Sequence, residues 1–279
     1  MTPVKLALRG VGKQFPGREP GEPFTAVENI SLDVRAGEFL VLVGPSGSGK
    51  STLLDLLAGL SRPTTGTILL DGAPVTGPGL DRGIVFQQYA LLPWRTARAN
   101  IEFGLEAQGL PRRQRRSLAA DYLALVGLDG FGEHYPHELS GGMRQRVAIA
   151  RSLAFDPEVL LMDEPFAALD AQTRESLQDE LLRIWTSTGK TILFITHSID
   201  EAVYLGQRVA VLTSRPGRVK EIVNIDLEHG AETDIRSSER FREFRHHIWS
   251  LLRGEVARAQ GLERDSLAAT HAERNHSHV

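Results

Sequence analysis

The chain has 279 residues, 41% of them hydrophobic, which is enough for one large domain or for a domain with an appendage. Its 32 Lys and Arg against 35 Asp and Glu leave a formal net charge of -3, so no basic surplus points to a nucleic-acid partner. It contains no cysteine, which excludes a disulfide framework and a thiolate metal site.

No segment has the character of a membrane insert. The N-terminus, "MTPVKLALRG", lacks the apolar core of a signal peptide. No apolar run approaches the roughly 18 residues that a membrane-spanning helix needs. We therefore expect any role at a membrane to come through a partner protein.

The first half of the chain predicts strands followed by a glycine loop and a helix. "VKLALRGVGKQF" (4–15), "FTAVENISLDV" (24–34) and "GTILLDG" (66–72) are typical of antiparallel strands. "GEFLVLVG" (37–44) predicts a buried strand, and "GKSTLLDLLAGL" (49–60) has helical spacing. A strand, a glycine loop and a helix in this order form the context of a phosphate-binding loop.

The second half predicts helices between buried strands. A helical insertion is expected at roughly 88–153. The runs 158–165 and 190–197 are apolar without alternation, which is typical of parallel strands covered on both faces. The segment 207–227 predicts two strands around a Pro-Gly turn, and 239–258 predicts a terminal helix. The fold class predicted from this order is α/β.

The phosphate-loop motif occupies residues 44–52, "GPSGSGKST", and fits G-x-x-x-x-G-K-[ST]. Its glycines let backbone N–H groups surround phosphate oxygens at the positive end of a helix. The expected nucleotide ligands are Gly44, Pro45, Ser46, Gly47, Ser48, Gly49, Lys50, Ser51 and Thr52. Lys50 is expected to reach the β and γ phosphates, and Ser51 to bind Mg²⁺. The alternative, a glycine turn matched by chance, is disfavoured by the flanking strand and helix.

Two adjacent carboxylates end the strand in "LLMDEP". Ligands bind at the carboxyl edge of open α/β sheets, so Asp163 is expected to hold Mg²⁺ and Glu164 to polarise the attacking water. A solvated turn is the alternative for an isolated Asp-Glu pair. The apolar strand and the glycine loop make that alternative weaker here.

A second glycine segment, "ELSGGMRQR" (138–146), precedes another helix. Ser140 is well suited to cap a helix that begins near Met143, and the N–H groups there favour an anion. A capped helix with nothing bound is the open alternative. The segment raises the question of why one chain needs two phosphate-binding helix ends.

The ordered motifs resemble the nucleotide-binding subunit of ABC transporters over about residues 4 to 220. The matching pieces are the Walker A loop at 44–52, Gln87 of the glutamine loop in "IVFQQ", the signature "LSGGM" (139–143), the Walker B strand "VLLMDE" (159–164), Asp170 of the D-loop "ALD", and the switch histidine His197 in "ITH". The resemblance implies a P-loop NTPase (RecA-like) core with an antiparallel β subdomain and an inserted helical subdomain that carries the signature. It implies an ATPase domain at 4–235, followed by a C-terminal helix and polar tail at 236–279.

The resemblance also implies a head-to-tail homodimer with each ATP between the Walker A loop of one subunit and the signature of the other. Ser140, Gly141 and Gly142 would then bind the γ-phosphate of the partner's nucleotide, and Asp170 would adjoin it. The family usually has Gln where this chain has Met143, which puts a side-chain contact there in doubt but not the backbone site.

The remaining site roles follow the same resemblance. Gln87 would sense Mg²⁺ or the water, and His197 would contact the γ-phosphate beside Glu164. Ser51, Gln87 and Asp163 form the expected Mg²⁺ set. Phe15 is expected to stack on adenine because it follows "VGKQ" as in the family, with Phe24 as the alternative; both could be ordinary core residues.

The function implied is that of an importer ATPase beneath a separate membrane permease, at the cytoplasmic face of the bacterial inner membrane. The stretches 77–105 and 214–222 resemble the nitrate, sulfonate and taurine group of importers, which also use an external binding protein. Trp94 in "LLPWRT" is expected to contact the permease; packing inside the insertion is its alternative. The alternative function is a soluble ABC-type switch in translation or DNA repair, which the absence of a second ATPase domain and of a basic surplus disfavours. A regulatory protein that binds ATP without turnover is disfavoured by Glu164 and His197.

Two charged or titratable runs stay outside the site. "RRQRR" (112–116) predicts a solvated helix face, and His271, His276 and His278 predict a polar tail rather than a metal site.

Overall fold

A computed structural model describes residues 2–17, 23–227 and 235–276, with side chains of the last range described as far as residue 259. Its strands are β1 Val4–Phe15, β2 Phe24–Arg35, β3 Phe39–Val43, β4 Thr65–Leu70, β5 Ala73–Pro74, β6 Arg82–Val85, β7 Val159–Asp163, β8 Thr191–Thr196, β9 Arg208–Leu212 and β10 Val219–Asn224. Its α-helices are α1 Lys50–Leu57, α2 Ala97–Ala107, α3 Arg112–Leu125, α4 Gly141–Ala154, α5 Ala171–Thr188, α6 Ile199–Leu205 and α7 Glu239–His276.

The centre of the fold is a six-stranded sheet in the order β10-β9-β3-β8-β7-β6. The strands from β9 to β6 are parallel, and β10 pairs with β9 antiparallel. Along β3 the side chains alternate between two apolar clusters: Phe39, Val41 and Val43 join one, and Leu40 and Leu42 join the other. Both faces are therefore covered, as the unbroken apolar runs predict.

A second sheet is antiparallel, in the order β2-β1-β4-β5. Its inward side chains, such as Leu8 and Ile30, share one cluster with Leu40 of the central sheet and Leu53 of α1. The three strands predicted for this region are confirmed, with β5 added as a short edge strand. This sheet therefore packs against α1, the helix that follows the glycine loop.

The stretch between β6 and β7 supplies the inserted helices α2, α3 and α4. Each helix packs through one apolar face into the larger of the two clusters, the one that contains Phe39. Examples are Ile101, Leu123 and Val147. The predicted fold class, an α/β core with an antiparallel sheet and a helical insertion, is confirmed.

The sequence pattern does not predict two of the elements, β6 and α6. β6 has only four residues and opens on the buried Arg82, whose Nη2 donates to the Gly77 carbonyl at 2.6 Å. α6 has seven residues and follows β8 at once, with the Ser198 hydroxyl accepting from the Glu201 N–H at 3.3 Å. Each is too short for its periodicity to show, and β6 owes its strand form to pairing with β7.

The terminal helix α7 is longer than the predicted 239–258 and packs on the core. Its sequence is rich in Ala, Leu, Glu and Arg and has no proline, which favours continuation of the helix. Four of its apolar side chains lie in the larger cluster: Phe241, Phe244, Ile248 and Leu252. The segment after residue 235 is therefore joined to the central sheet by apolar contact. The side chains of His271, His276 and His278 lie outside the described residues.

Within the described residues, no helix combines the length and hydrophobicity needed to cross a lipid bilayer.

Candidate functional site

The carboxyl ends of four adjacent parallel strands bring the predicted site together. Gly44 follows β3, His197 follows β8, Asp163 ends β7, and Gln87 comes two residues after β6. These strands are neighbours in the order β3-β8-β7-β6. The topology therefore places residues that are far apart in the sequence along one edge of the sheet, where open α/β sheets bind ligands.

The glycine loop leads into α1 without a side-chain cap. Gly47 and Gly49 have φ values of 75° and 83°, in the left-handed region that glycine adopts at little cost. Gly49 is the N-cap of α1, and no side chain bonds the first turn. A β-carbon at Gly49 would collide with the Val27 side chain, so the close approach of β2 also requires glycine. The first N–H groups of α1 are left to an anion.

Lys50 places its ammonium group inside the loop. Its Nζ donates to the carbonyls of Gly44 at 2.9 Å and Pro45 at 3.1 Å. Burial lowers the pKa of Lys50, and the nearby Glu164 and Asp163 carboxylates oppose that shift. A phosphate would supply the counter-charge that a buried ammonium lacks in the loop.

The Ser48 hydroxyl tests whether the loop fits a phosphate. Its oxygen is buried and has no hydrogen-bond partner among the described residues. Buried polar groups are normally satisfied, so an orphan hydroxyl in a glycine loop indicates a missing polar ligand. The loop, Lys50 and Ser48 together fit a nucleotide phosphate.

The Ser51 hydroxyl faces the Asp163 carboxylate closely enough to lower the pKa of Asp163 by hydrogen bonding. Burial raises the pKa of Asp163, Glu164 raises it further by repulsion, and the Ser51 bond and Lys50 lower it. A hard divalent cation would stabilise this desolvated carboxylate, so the pair fits Mg²⁺. The Gln87 side chain is exposed, two residues beyond the neighbouring strand β6. Two of the three predicted Mg²⁺ ligands are thus brought together.

Glu164 and His197 are in direct contact across neighbouring strands. His197 Nδ1 lies 2.9 Å from Glu164 Oε2, so an Nδ1–H would donate to the carboxylate. Glu164 has φ 44°, which is uncommon for a residue with a side chain, and its N–H donates to the Ile195 carbonyl at 2.9 Å. The turn thereby aims the carboxylate at the edge of the sheet, and the imidazole is oriented by it.

The signature segment is a capped helix end, as predicted. The Ser140 hydroxyl accepts from the Met143 N–H at 3.2 Å, and α4 begins at Gly141 rather than near Met143. A β-carbon at Gly142 would lie 2.7 Å from the Thr173 methyl group, so this glycine allows α4 and α5 to approach closely. Gly142 is buried, whereas Ser140 is exposed.

The loop after Gln87 is held by the signature helix. Arg151 donates to the carbonyls of Ala90 at 2.6 Å and Tyr89 at 3.0 Å. A β-carbon at Gly141 would lie 3.3 Å from the Tyr89 hydroxyl. Tyr89 and Arg151 have no motif to mark them in the sequence, because their contact joins residues 62 positions apart.

Asp170 caps α5 beside the signature helix. Its carboxylate accepts from the Thr173 N–H at 2.9 Å, and that bond holds the pKa of Asp170 below its usual range. Thr173 is the residue that faces Gly142. The predicted D-loop and the signature are therefore neighbours.

The two aromatic candidates for adenine lie side by side. Phe15 ends β1 and pairs in register with Phe24, which begins β2. The Phe15 ring is 38% exposed, with Lys13 Nζ 5.2 Å from its centre. The Arg215 guanidinium lies 4.5 Å from the centre of the Phe24 ring. Stacking of adenine on Phe15 stays a prediction.

Trp94 is exposed on a loop that side-chain hydrogen bonds hold in place. It is 72% exposed, so the alternative that it packs inside the insertion is wrong. Asn100 is fully buried and holds the loop: it accepts from the Leu92 N–H at 2.8 Å and donates to the carbonyls of Leu92, Arg95 and Thr96. A buried amide therefore fixes the loop that presents an indole to solvent.

Comparison with known proteins identifies close relatives. A model of the ABC transporter family matches residues 27–167. The chain is 56% identical over 256 residues to an uncharacterized ABC transporter ATP-binding protein of Methanocaldococcus jannaschii, covering 92% of this chain and 94% of that protein. It is 54% identical over 257 residues to a nitrate import ATP-binding protein of Synechocystis, covering 90% and 96%. It is 49% identical over 248 residues to a taurine import ATP-binding protein of Pseudomonas putida, covering 87% and 93%.

The fold also matches a solved dimeric ATP-binding cassette in a post-hydrolysis state with ADP and Pi bound. The match has a TM-score of 0.69 and 34% sequence identity, and it covers 80% of this chain and 100% of that chain.

Proposed function

Because the chain belongs to the ABC transporter ATP-binding family, we propose that it is the ATP-hydrolysing subunit of an importer for a small anion of the nitrate, sulfonate or taurine type. Relatives of about half-identical sequence carry the names of nitrate and taurine import proteins. The comparisons offer no support for the alternative, a soluble switch in translation or DNA repair.

The observation that carries the ATPase assignment is the meeting of the phosphate loop, the Ser51–Asp163 pair and the Glu164–His197 pair at one sheet edge. Lys50 and the loop N–H groups bind the phosphates of ATP. Ser51 and Asp163, with Gln87 as the proposed third ligand, would hold Mg²⁺, which when bound would neutralise phosphate charge.

In this proposal the Glu164 carboxylate accepts a proton from the attacking water, and His197, whose Nδ1 lies 2.9 Å from that carboxylate, contacts the γ-phosphate. The mechanism is one of positioning and charge stabilisation, which dominates phosphoryl transfer.

The signature residues complete the site of a second copy. Ser140, Gly141 and Gly142 open a helix whose N–H groups favour an anion, and their neighbours in this chain are Thr173 and Tyr89 rather than the phosphate loop. In the proposed head-to-tail homodimer they contact the γ-phosphate bound by the partner subunit, and Asp170 adjoins the same nucleotide. A dimeric relative with ADP and Pi supports this assembly.

The permease contact is assigned to the loop that carries Trp94. An indole that is 72% exposed on a loop fixed by a buried Asn100 is available to a partner protein. In this account the chain lies at the cytoplasmic face of the bacterial inner membrane, and an external binding protein delivers the anion to the permease.

Capture from native membranes tests the proposal. A tagged Glu164→Gln variant is trapped with ATP in its own cell's membranes, and the proteins that co-purify are identified. We expect a multi-spanning permease pair with two copies of this chain. A ribosomal or nucleic-acid partner without a membrane protein would instead support the soluble switch.

Trp94→Ala tests the docking surface, with Trp249→Ala as a matched control. Trp249 is an exposed indole on α7, 46% exposed and far along the chain from the insertion. We expect the Trp94 variant to bind ATP normally but to lose permease capture, while the control keeps both. Equal capture by the two variants would count against this surface.

A further inference from the structure

The turn between β9 and β10 lies against the phosphate loop. The Gly217 N–H donates to the Ala26 carbonyl, and the Glu28 N–H donates to the Gly217 carbonyl, each at 2.9 Å. A β-carbon at Gly217 would collide with the Ser48 carbonyl oxygen. The turn is therefore in backbone contact with β2 on one side and with the loop on the other.

Arg215 in this turn reaches the tip of the loop. A β-carbon built on Gly47 would lie 3.1 Å from Nη2 of Arg215. The guanidinium also lies 4.5 Å from the centre of the Phe24 ring, a cation–π contact that limits its freedom. Within the described part of the chain, the Arg215 side chain has no ion pair with a carboxylate.

A buried carboxylate from α7 holds the same turn from behind. Glu255 is 1% exposed, and its Oε2 accepts from the Ser214 N–H at 3.0 Å and from the Ser214 hydroxyl at 3.2 Å. Its Oε1 accepts from Lys220 Nζ at 2.8 Å, which supplies the counter-charge. The residue just before Arg215 is thus fixed by a buried carboxylate whose charge is balanced by the partly exposed Lys220.

We propose that Arg215 is an additional phosphate-binding residue of the nucleotide site and that Glu255 is its positioning residue. A planar guanidinium matches phosphate oxygens and keeps its charge, and the cation–π contact preorganises it at the tip of the loop. The role rests on the proposed ATPase function, because it needs a nucleotide in the loop. It gives the C-terminal helix a direct connection to that nucleotide.

Calorimetric titration with ATP and Mg²⁺ tests the role of Arg215 in the full chain. The parent carries Glu164→Gln so that ATP is not consumed. We expect Arg215→Gln to weaken ATP binding by about tenfold and Arg215→Lys, which keeps the charge, to restore most of it. Added salt should weaken the parent more than the Arg215→Gln variant, because screening acts on a charge pair.

Arg218→Gln is the matched control. Arg218 lies on the same turn, but its Nη2 pairs with the exposed Glu28 at 2.6 Å. We expect its ATP affinity to equal that of the parent. Unchanged ATP affinity in Arg215→Gln would overturn the proposal. It would also be overturned if Arg215→Gln kept ATP binding while Arg215→Lys lost it, because that result would indicate packing on Phe24.

Glu255→Gln tests the positioning role in the hydrolytically active chain. We expect a KM for ATP raised about threefold with kcat unchanged, and Ser214→Ala should show the same split if the first variant folds poorly. An unchanged KM in both variants would overturn the positioning role of Glu255.

A parent chain that binds no ATP would overturn the proposed function and the Arg215 role together. A parent that binds ATP equally well without Arg215 would overturn the Arg215 role alone.

Discussion

The two glycine-bearing helix ends of this chain, at α1 and at α4, differ in how their first N–H groups are used. Gly49 caps α1 in the left-handed conformation and offers no side-chain acceptor. Ser140 caps α4 and takes one of its N–H groups for itself. The end of α1 therefore depends on an outside anion, whereas the end of α4 is stable without one.

The surroundings of the two ends differ in the same sense. The loop before α1 gathers the buried Lys50 and the desolvated Asp163. The end of α4 packs against the Thr173 methyl group and the Tyr89 hydroxyl. The first is a charged site suited to bind phosphate within its own chain. The second, where the Arg144 guanidinium lies over the Tyr89 ring, is suited to complete a site on a second copy. In the proposed head-to-tail dimer, the two segments would bind the same nucleotide from opposite subunits.

Removing the Glu164 carboxylate should stop ATP hydrolysis without changing either helix end. We expect Glu164→Gln to lower ATP turnover by about 1000-fold with ATP affinity unchanged, because the amide cannot take the proton. Steady-state phosphate release and ATP titration measure the two quantities. Turnover equal to that of the native chain would remove Glu164 from the mechanism.

Removing the charge in the loop breaks the α1 end alone. We expect Lys50→Ala to weaken ATP binding by about 100-fold, since the phosphates lose a buried ammonium. Lys190→Ala is the control, because Lys190 pairs with the exposed Asp156 on the surface. ATP titration on both variants should separate them, and similar affinities would place the phosphates elsewhere.

Removing the cap acts on the α4 end alone. We expect Ser140→Ala to cost about 1 kcal/mol of stability and to lower turnover about tenfold while ATP still binds the native loop. Thermal unfolding, titration and phosphate release measure the three effects.

Mixing the two impaired variants sharpens the comparison. A head-to-tail dimer of one Lys50→Ala chain and one Ser140→Ala chain contains one native loop opposite one native signature. Turnover should therefore rise above that of either variant alone. No recovery on mixing would argue that each chain works by itself.

The smallest effect concerns stability and pH. Burial raises the pKa of Asp163, so the folded chain binds this proton more tightly than the unfolded chain. The free energy of unfolding should therefore fall as the pH rises from the ordinary Asp pKa through the raised one. It should remain at the lower value above that pH. Asp163→Asn should then unfold at a higher temperature at pH 7 without Mg²⁺ or nucleotide, and the difference should vanish at pH about 3. A lower unfolding temperature at pH 7 would contradict this sign.

The parts of the site that sequence could predict are the local ones. The strand, loop and helix at 37–60 and the Ser140 cap depend on neighbours a few residues away, so their patterns are readable. The hydrogen bonds from Arg151 to the Tyr89 carbonyl and from the Ser214 N–H to Glu255 join residues that are 62 and 41 positions apart. No local spacing records such contacts, and short elements such as β6 take their form from the strand beside them.

The packing of α7 bears on how chains of this kind can be recombined. Phe241, Phe244, Ile248 and Leu252 insert into the same apolar cluster as the central sheet. A chimera joined near residue 235 would bring a foreign helix to a cavity shaped for these four side chains. Mismatched volumes would cost core packing, so a junction beyond Glu255 is the safer place to graft a new C-terminal module.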